Sequence, residues 1–143
     1  MSSRTDAGVS VRMNLARIDL PEAVSRSIDD TRILRALNDH LPEDVVAWGA
    51  RRVPVWSPSR PVVSRKYYYR SEISRRWPIE IDMDSLQSAC SALEGDHDFA
   101  NFCRVEEGRG TERTVDVCEP WINSEGRPIG IMVCAQSFLW NQV

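Results

Sequence analysis

An alternation of apolar and polar residues near the carboxyl end is the feature that most constrains the fold of this chain. Ile129, Ile131 and Val133 recur at every second position, so their side chains share one face of a strand. Residues 111–122 read as another strand, and the intervening Asn-Ser-Glu-Gly-Arg-Pro stretch contains a glycine that supplies a turn. The two segments predict a β-hairpin and therefore an antiparallel sheet.

Other segments fill out this sheet and add helices. Residues 9–20, 44–53 and 62–73 have the composition or alternation of strands. Asp29 or Asp30 can cap a helix that ends near residue 38, and Asp84 can cap a second helix that Gly95 stops. Residues 137–143 should begin a third helix. We predict an α+β fold, an antiparallel sheet with helices packed on one face.

Composition limits the class of protein. The chain has 143 residues, the size of one domain that can bury a core without disulfides or metals, and its formal net charge is −3. The four cysteines are widely spaced without a CxxC pair, and only two histidines are present, which argues against a zinc site or a disulfide framework. No apolar run approaches the ~20 residues of a membrane helix. We expect a reduced, cytoplasmic protein that binds neither a metal nor a membrane.

The amino-terminal stretch Ser-Ser-Arg-Thr-Asp-Ala-Gly-Val combines charged groups with a backbone hinge. Arg4, Asp6 and Gly8 place a cation, a carboxylate and a flexible position within five residues. A loop that leads into a strand can present a single aspartate to a substrate. Asp and Gly also favour turns for local reasons, so a plain polar turn is the alternative.

The tyrosine-rich segment 62–73 has two different faces. Alternation places Tyr67 and Tyr69 on one face, and Lys66, Tyr68 and Arg70 on the other. An aromatic ring flanked by cations suits base stacking and phosphate binding. Tyrosine is also common in ordinary strands, so packing is the competing interpretation.

Four motifs in order give a family resemblance. RTDAGV is followed by SRKYYYR at 64–70, GDHDFANFCR at 95–104 and SFLWNQV at 137–143. Together these resemble the tRNA pseudouridine synthase A family, whose members carry an RTDaGV segment with the catalytic Asp, an R-x-Y-x-Y strand, an xxDFxxF segment and F-L-x-x-x-V. The resemblance covers nearly the whole chain. It implies a partial catalytic region in which about 1–60 end the amino-terminal half and about 61–143 begin the carboxyl-terminal half.

The resemblance also implies roles for individual residues. Asp6 is the catalytic carboxylate, acting as nucleophile on the ribose or on the ring, or stabilising positive charge at C1′. Arg4 occupies the vacancy left by the flipped base, and Tyr67 stacks on that base. The remaining substrate-binding positions are the first residue of the R-x-Y-x-Y motif and the two that wall the pocket: Arg65, Phe138 and Leu139.

The implied activity is isomerisation of uridine to pseudouridine in the tRNA anticodon stem-loop, by a homodimer that needs no cofactor. Family members have a segment before RTDaGV and a basic residue after the final valine of F-L-x-x-x-V, whereas Val143 is the last residue here. We therefore expect a fragment with little activity alone. A catalytically inactive RNA-binding remnant is the alternative. The substitution Asp6→Ala distinguishes the enzyme from the remnant, because it should abolish isomerisation while barely changing RNA affinity.

Overall fold

A computed structural model describes residues 8–58, 62–71 and 81–143 of the chain. The chain divides into two compact units, 1–61 and 62–143, which are described separately. The assignment of these units to the halves of a synthase remains a prediction.

Residues 8–58 of the first unit form two short helices, α1 (Glu22–Ser27) and α2 (Asp30–Asn38). The side chain of Asp29 accepts a 2.7 Å hydrogen bond from the backbone N–H of Arg32, which satisfies one of the free donors at the start of α2. The predicted helix, with an aspartate cap, is confirmed. Arg52 connects the helices, because its guanidinium donates to the Ser25 carbonyl at 2.8 Å and pairs with Asp30 at 3.0 Å.

The two strands predicted in the first unit are wrong. Residues 8–58 contain no strand, although the backbone of 9–20 and 44–53 is largely non-helical. Apolar side chains of these segments are exposed, including Met13, Val46 and Trp48 at 69%, 70% and 71%. Alternation decides only which face a side chain occupies, whereas a strand also needs a partner for its backbone groups. The described residues of this unit supply no such partner.

The described residues of the second unit form five strands in two antiparallel sheets. Strands β1 (Arg65–Arg70), β5 (Pro128–Ala135) and β4 (Val117–Ile122) form one sheet in that spatial order. Strands β2 (Gly95–Asp98) and β3 (Glu112–Val115) form the other. The predicted hairpin is confirmed as β4 and β5. The predicted strand 111–122 is interrupted at Asp116, whose N–H donates to the Cys134 carbonyl at 2.8 Å.

Helix α3 (Met83–Ser91) covers one face of the three-stranded sheet. Its cap is Asp82, which accepts a 2.8 Å bond from the Ser85 N–H, so the prediction of Asp84 was wrong by two positions. The core between helix and sheets consists of six buried residues, Leu86, Cys90, Phe99, Val115, Cys118 and Val133. The α+β class, with antiparallel sheets, is confirmed. Among the described residues, no helix has the length and apolar character needed to span a membrane.

Candidate functional site

The candidate site lies at β1, where alternation gives the strand two different faces. Tyr67 is paired with Val133 of β5, a core residue, and Tyr68 is paired with Met132. Cross-strand partners share a face of the sheet, so Tyr67 projects toward the core side and Tyr68 toward the other. The predicted partition of the tyrosines between two faces is confirmed.

Tyr67 and Phe138 are brought together by the fold. Their ring centroids are 5.0 Å apart and their planes are inclined by 85°, an edge-to-face arrangement that aromatic rings favour. Phe138 and Leu139 are partly buried against the core, so both are held in place by packing. The contact leaves Tyr67 half-buried, with one ring edge fixed. A fixed aromatic ring is a suitable platform for a nucleobase.

The carboxyl-terminal segment 137–143 forms a turn, so the predicted helix is wrong. The N–H of Leu139 donates to the side-chain oxygen of Gln142 at 2.8 Å, and the Gln142 N–H donates to the Leu139 carbonyl at 3.2 Å. Asn141 has φ of 63°, in the left-handed region that interrupts a right-handed helix. Arg104 also holds this segment. Its guanidinium carbon lies 4.2 Å from the Trp140 ring centroid, and its backbone N–H donates to the Trp140 carbonyl at 2.9 Å.

Below Phe138 lies an apolar cavity of about 50 Å³. The DFANF and FLWNQV motifs meet around it, through Phe99, Phe102, Phe138 and Val143. Its volume suits about one or two water molecules and excludes a nucleobase. The two motifs therefore pack together beside Phe138, and the cavity between them is too small to hold a nucleobase.

Three further residues, Arg65, Arg4 and Asp6, were predicted to belong to the site. Arg65 donates a hydrogen bond to the Gln136 carbonyl, which ties the start of β1 to the end of β5. This bond uses part of its donor capacity within the protein, and its substrate-binding role stays a prediction. Arg4 and Asp6 lie outside the described residues, so their roles also stay predictions.

The Asp96-His97-Asp98 triplet serves the β2–β3 hairpin. His97 Nε2 lies 2.7 Å from the Glu94 carbonyl oxygen, and Asp98 accepts a 3.0 Å bond from the Ala100 N–H. The hydroxyl of Thr111 also donates to Asp98, and this bond is the main cause that lowers the pKa of the Asp98 carboxyl. Within residues 8–58, 62–71 and 81–143, no three His, Cys, Asp or Glu side chains are grouped so that they could hold a metal ion.

Two residues around the site were missed by sequence reasoning. Gln142 lies within the F-L-x-x-x-V segment, so this motif could have indicated that Gln142 belongs to the site. Trp121 lies beside Tyr68, with ring centroids 5.1 Å apart, yet it belongs to none of the motifs. Only the strand register reveals its position, because the pairing of β4 with β5 cannot be read in detail from alternation.

Comparison with known proteins finds similarity to one family of enzymes. The family model described as tRNA pseudouridine synthase matches residues 89–143. The tRNA pseudouridine synthase A of Methanocorpusculum labreanum is 36% identical over 145 residues, which cover 99% of this chain and 46% of that protein. The tRNA pseudouridine synthase A of Streptomyces avermitilis is 30% identical over 158 residues, which cover 100% of this chain and 54% of that protein. The tRNA pseudouridine synthase A of Cutibacterium acnes is 37% identical over 131 residues, which cover 82% of this chain and 46% of that protein.

The matched regions extend through both units of the chain, and the chain spans about half the length of these curated relatives. The family model covers β4, β5 and the segment that carries Phe138, and the longer alignments extend the similarity through Tyr67. The chain is thus similar to tRNA pseudouridine synthase A proteins along nearly its whole length.

Proposed function

We propose that this chain supplies the catalytic core of a tRNA pseudouridine synthase that isomerises uridine in the anticodon stem-loop. The observation that carries the proposal is the edge-to-face contact between Tyr67 and Phe138, at 5.0 Å, on a strand of a chain that is similar to this family. The contact joins two motifs that are distant in sequence. It fixes an aromatic ring beside which a uracil can stack.

In the proposed reaction, the bond between C1′ and N1 of the uridine breaks and a bond between C1′ and C5 forms. C5 loses a proton and N1 gains one, so the product is an isomer and no electrons are exchanged with a cofactor. A carboxylate can act as nucleophile or stabilise positive charge at C1′ while the base is detached. We assign this role to Asp6, the stacking role to Tyr67, and the position vacated by the flipped base to Arg4.

The remaining substrate contacts are also part of the proposal. Arg65 lies at the start of β1, two residues before Tyr67, and its guanidinium can contact a phosphate near the stacked base. Phe138 and Leu139 wall the pocket from the core side. We further propose that the enzyme acts as a homodimer in the cytoplasm, where both subunits contact one tRNA.

The test is pseudouridine formation on a tRNA anticodon stem-loop, measured by nucleoside mass analysis. This chain is assayed alone and as a chimaera that replaces the matched 145 residues of the Methanocorpusculum labreanum synthase. We expect product from the chimaera and none after Asp6→Ala. Asp6→Asn is the isosteric control and should be equally inactive, because it keeps the shape and removes the charge. A folded chimaera without product, beside an active parent enzyme, contradicts the proposal.

A second candidate, an RNA-binding protein without catalysis, is favoured by the aromatic and cationic side chains on the outer face of β1. RNA affinity separates the two candidates. If RNA binds to the chain and to the chimaera, while neither forms product, the binding function remains and the catalytic one fails.

A further inference from the structure

The sheet face turned away from α3 carries a group of aromatic and basic side chains. On β1 these are Lys66, Tyr68 and Arg70, which alternate with the core-facing tyrosines. Arg70 is paired with Gly130, and Gly130 is paired with Trp121 of β4, so Trp121 projects from the same face. We call these four residues, Lys66, Tyr68, Arg70 and Trp121, the outer aromatic surface.

Three members of this surface, Tyr68, Arg70 and Trp121, contact one another across the central strand. The rings of Tyr68 and Trp121 lie 5.1 Å apart at 62°, and the Arg70 guanidinium carbon lies 5.2 Å from the Trp121 ring centroid. Gly130 stands between Arg70 and Trp121 and has no side chain, so the two groups can approach each other over it. The indole ring of Trp121 therefore contacts both a phenol and a cation of β1.

The aromatic rings remain accessible on this surface. Tyr68 is 55% exposed and Trp121 is half-buried, whereas Met132 beneath them is only 5% exposed. The rings therefore shield the sheet and still present part of their own area to solvent. Grouped aromatic side chains that are exposed on a surface are typical of binding sites.

The charges on this face favour an anionic ligand. Lys66 and Arg70 project from β1, and Glu119 of β4 is the acidic residue that the strand register places on the same face. In the described parts of the chain, neither Lys66 nor Arg70 takes part in an ion pair. Because the whole chain has a formal net charge of −3, this local excess of cations is a feature of the face and not of the protein.

We propose that the outer aromatic surface is a second RNA contact, at which unpaired bases stack on Tyr68 and Trp121 while Lys66 and Arg70 bind the neighbouring phosphates. Stacking platforms flanked by cations are the usual means of binding single-stranded RNA. The surface is separate from the Tyr67 position, because the two lie on opposite faces of β1. The choice of RNA as ligand rests on the proposed function, while the surface itself rests on the geometry above.

The experiment measures the dissociation constant of this chain for a fluorescein-labelled single-stranded oligouridylate by anisotropy. Tyr68→Leu should weaken binding by about 5-fold to 150-fold, since stacking of one base is lost. Tyr68→Phe keeps the ring and should bind like the unchanged protein. Tyr68 is 55% exposed but packs against Trp121, so thermal unfolding is used to check that both variants are folded at the assay temperature. Equal affinity of Tyr68→Leu and the unchanged protein overturns the proposal.

The charge is tested by the salt dependence of binding. Arg70→Gln should reduce the slope of log Kd against log salt by about 0.7, the value for one phosphate contact on a single strand. Arg109→Gln is the matched control, because Arg109 is an exposed arginine outside this sheet that pairs with Glu106. Its slope should remain unchanged. Equal slopes for the two variants contradict a phosphate contact at Arg70.

The failure of this proposal and that of the proposed function give different results. If Asp6→Ala abolishes isomerisation by the chimaera while Tyr68→Leu binds RNA normally, only the outer surface is refuted. If no uridine is isomerised while RNA affinity depends on Tyr68, the surface stands and catalysis is refuted. If Tyr68→Leu leaves RNA affinity intact and changes the oligomeric state measured by light scattering, the surface is a protein interface and the proposal is wrong.

Discussion

The rings of Phe138 and Tyr67 pack edge-to-face at a centroid distance of 5.0 Å, although the two residues lie in separate motifs. This contact couples the segment after β5 to the strand that carries the proposed stacking tyrosine.

The coupling between these two rings can be measured by a double-mutant cycle. We expect Tyr67→Ala and Phe138→Ala to be non-additive in the free energy of unfolding by about 0.5 to 1.5 kcal/mol, the usual strength of an aromatic pair beyond its buried area. Urea denaturation provides the measurement. The pair Tyr69 and Phe138 is the control and should be additive. Additive effects for Tyr67 and Phe138 would show that the contact does not position the tyrosine.

Gly130 allows β1 and β5 to approach closely. A Cβ at this position would overlap the backbone carbonyl of Tyr69. Gly130→Ala should therefore destabilise the protein by about 1 to 3 kcal/mol, because the strands have to move apart. Gly110→Ala is the matched control, since a Cβ there meets no atom within 4 Å. Thermal unfolding of both variants measures the difference, and equal stabilities would contradict this explanation.

Glu94 holds the start of β4 through its side chain. Its Oε1 accepts a 2.8 Å hydrogen bond from the backbone N–H of Cys118, a fully buried residue. Glu94→Ala leaves that donor without its partner and should cost about 1 to 3 kcal/mol of stability. Glu94→Gln retains an acceptor oxygen and should lose less. If urea denaturation places both variants at the same stability, the hydrogen bond has no measurable role.

The cap of α3 should make stability depend on pH. Hydrogen bonds from the side chain and backbone of Ser85 lower the pKa of the Asp82 carboxyl from its usual 3.8. The pKa of this carboxyl is lower in the folded protein than in the unfolded chain. The ionised carboxylate therefore stabilises the fold above its usual pKa, and this stabilisation is lost as the pH falls through the pKa of the folded protein. Asp82→Asn should therefore narrow the difference in unfolding free energy between about pH 6 and pH 2.5. An unchanged difference in Asp82→Asn, measured by urea denaturation at both pH values, would contradict this explanation.

The four cysteines should fall into two classes of reactivity. Burial raises the pKa of the Cys118 thiol to about 12, and burial is also the main cause that raises the pKa of Cys90. The thiolate is the reactive form, so both should resist iodoacetamide at about pH 8. Cys103 and Cys134 are partly exposed and should be labelled first. Mass analysis of peptides measures the order, and denatured protein, in which all four react, is the control.

Several features follow from the sequence alone, because they depend on near neighbours. The alternation of 129–133 and the glycine-containing turn are sufficient to predict the β4–β5 hairpin. Asp29 caps α2 through an N–H only three residues away. The two faces of β1 are set by the strand period, whatever the strand packs against. The motifs were sufficient to predict the similarity to tRNA pseudouridine synthase A, which extends over 99% and 100% of the chain in two relatives.

Other features depend on contacts between distant parts of the chain, which only the tertiary structure decides. The segments 9–20 and 44–53 have strand-like patterns and form no strand among the described residues, because a strand needs backbone partners from elsewhere. The meeting of Tyr67 with Phe138, and of Arg70 with Trp121, depends on which strands are neighbours and in what register. The sequence thus determined the local elements and the family resemblance. The packing of β1 against β5 and β4 decided which side chains face one another, since register is set by the whole sheet.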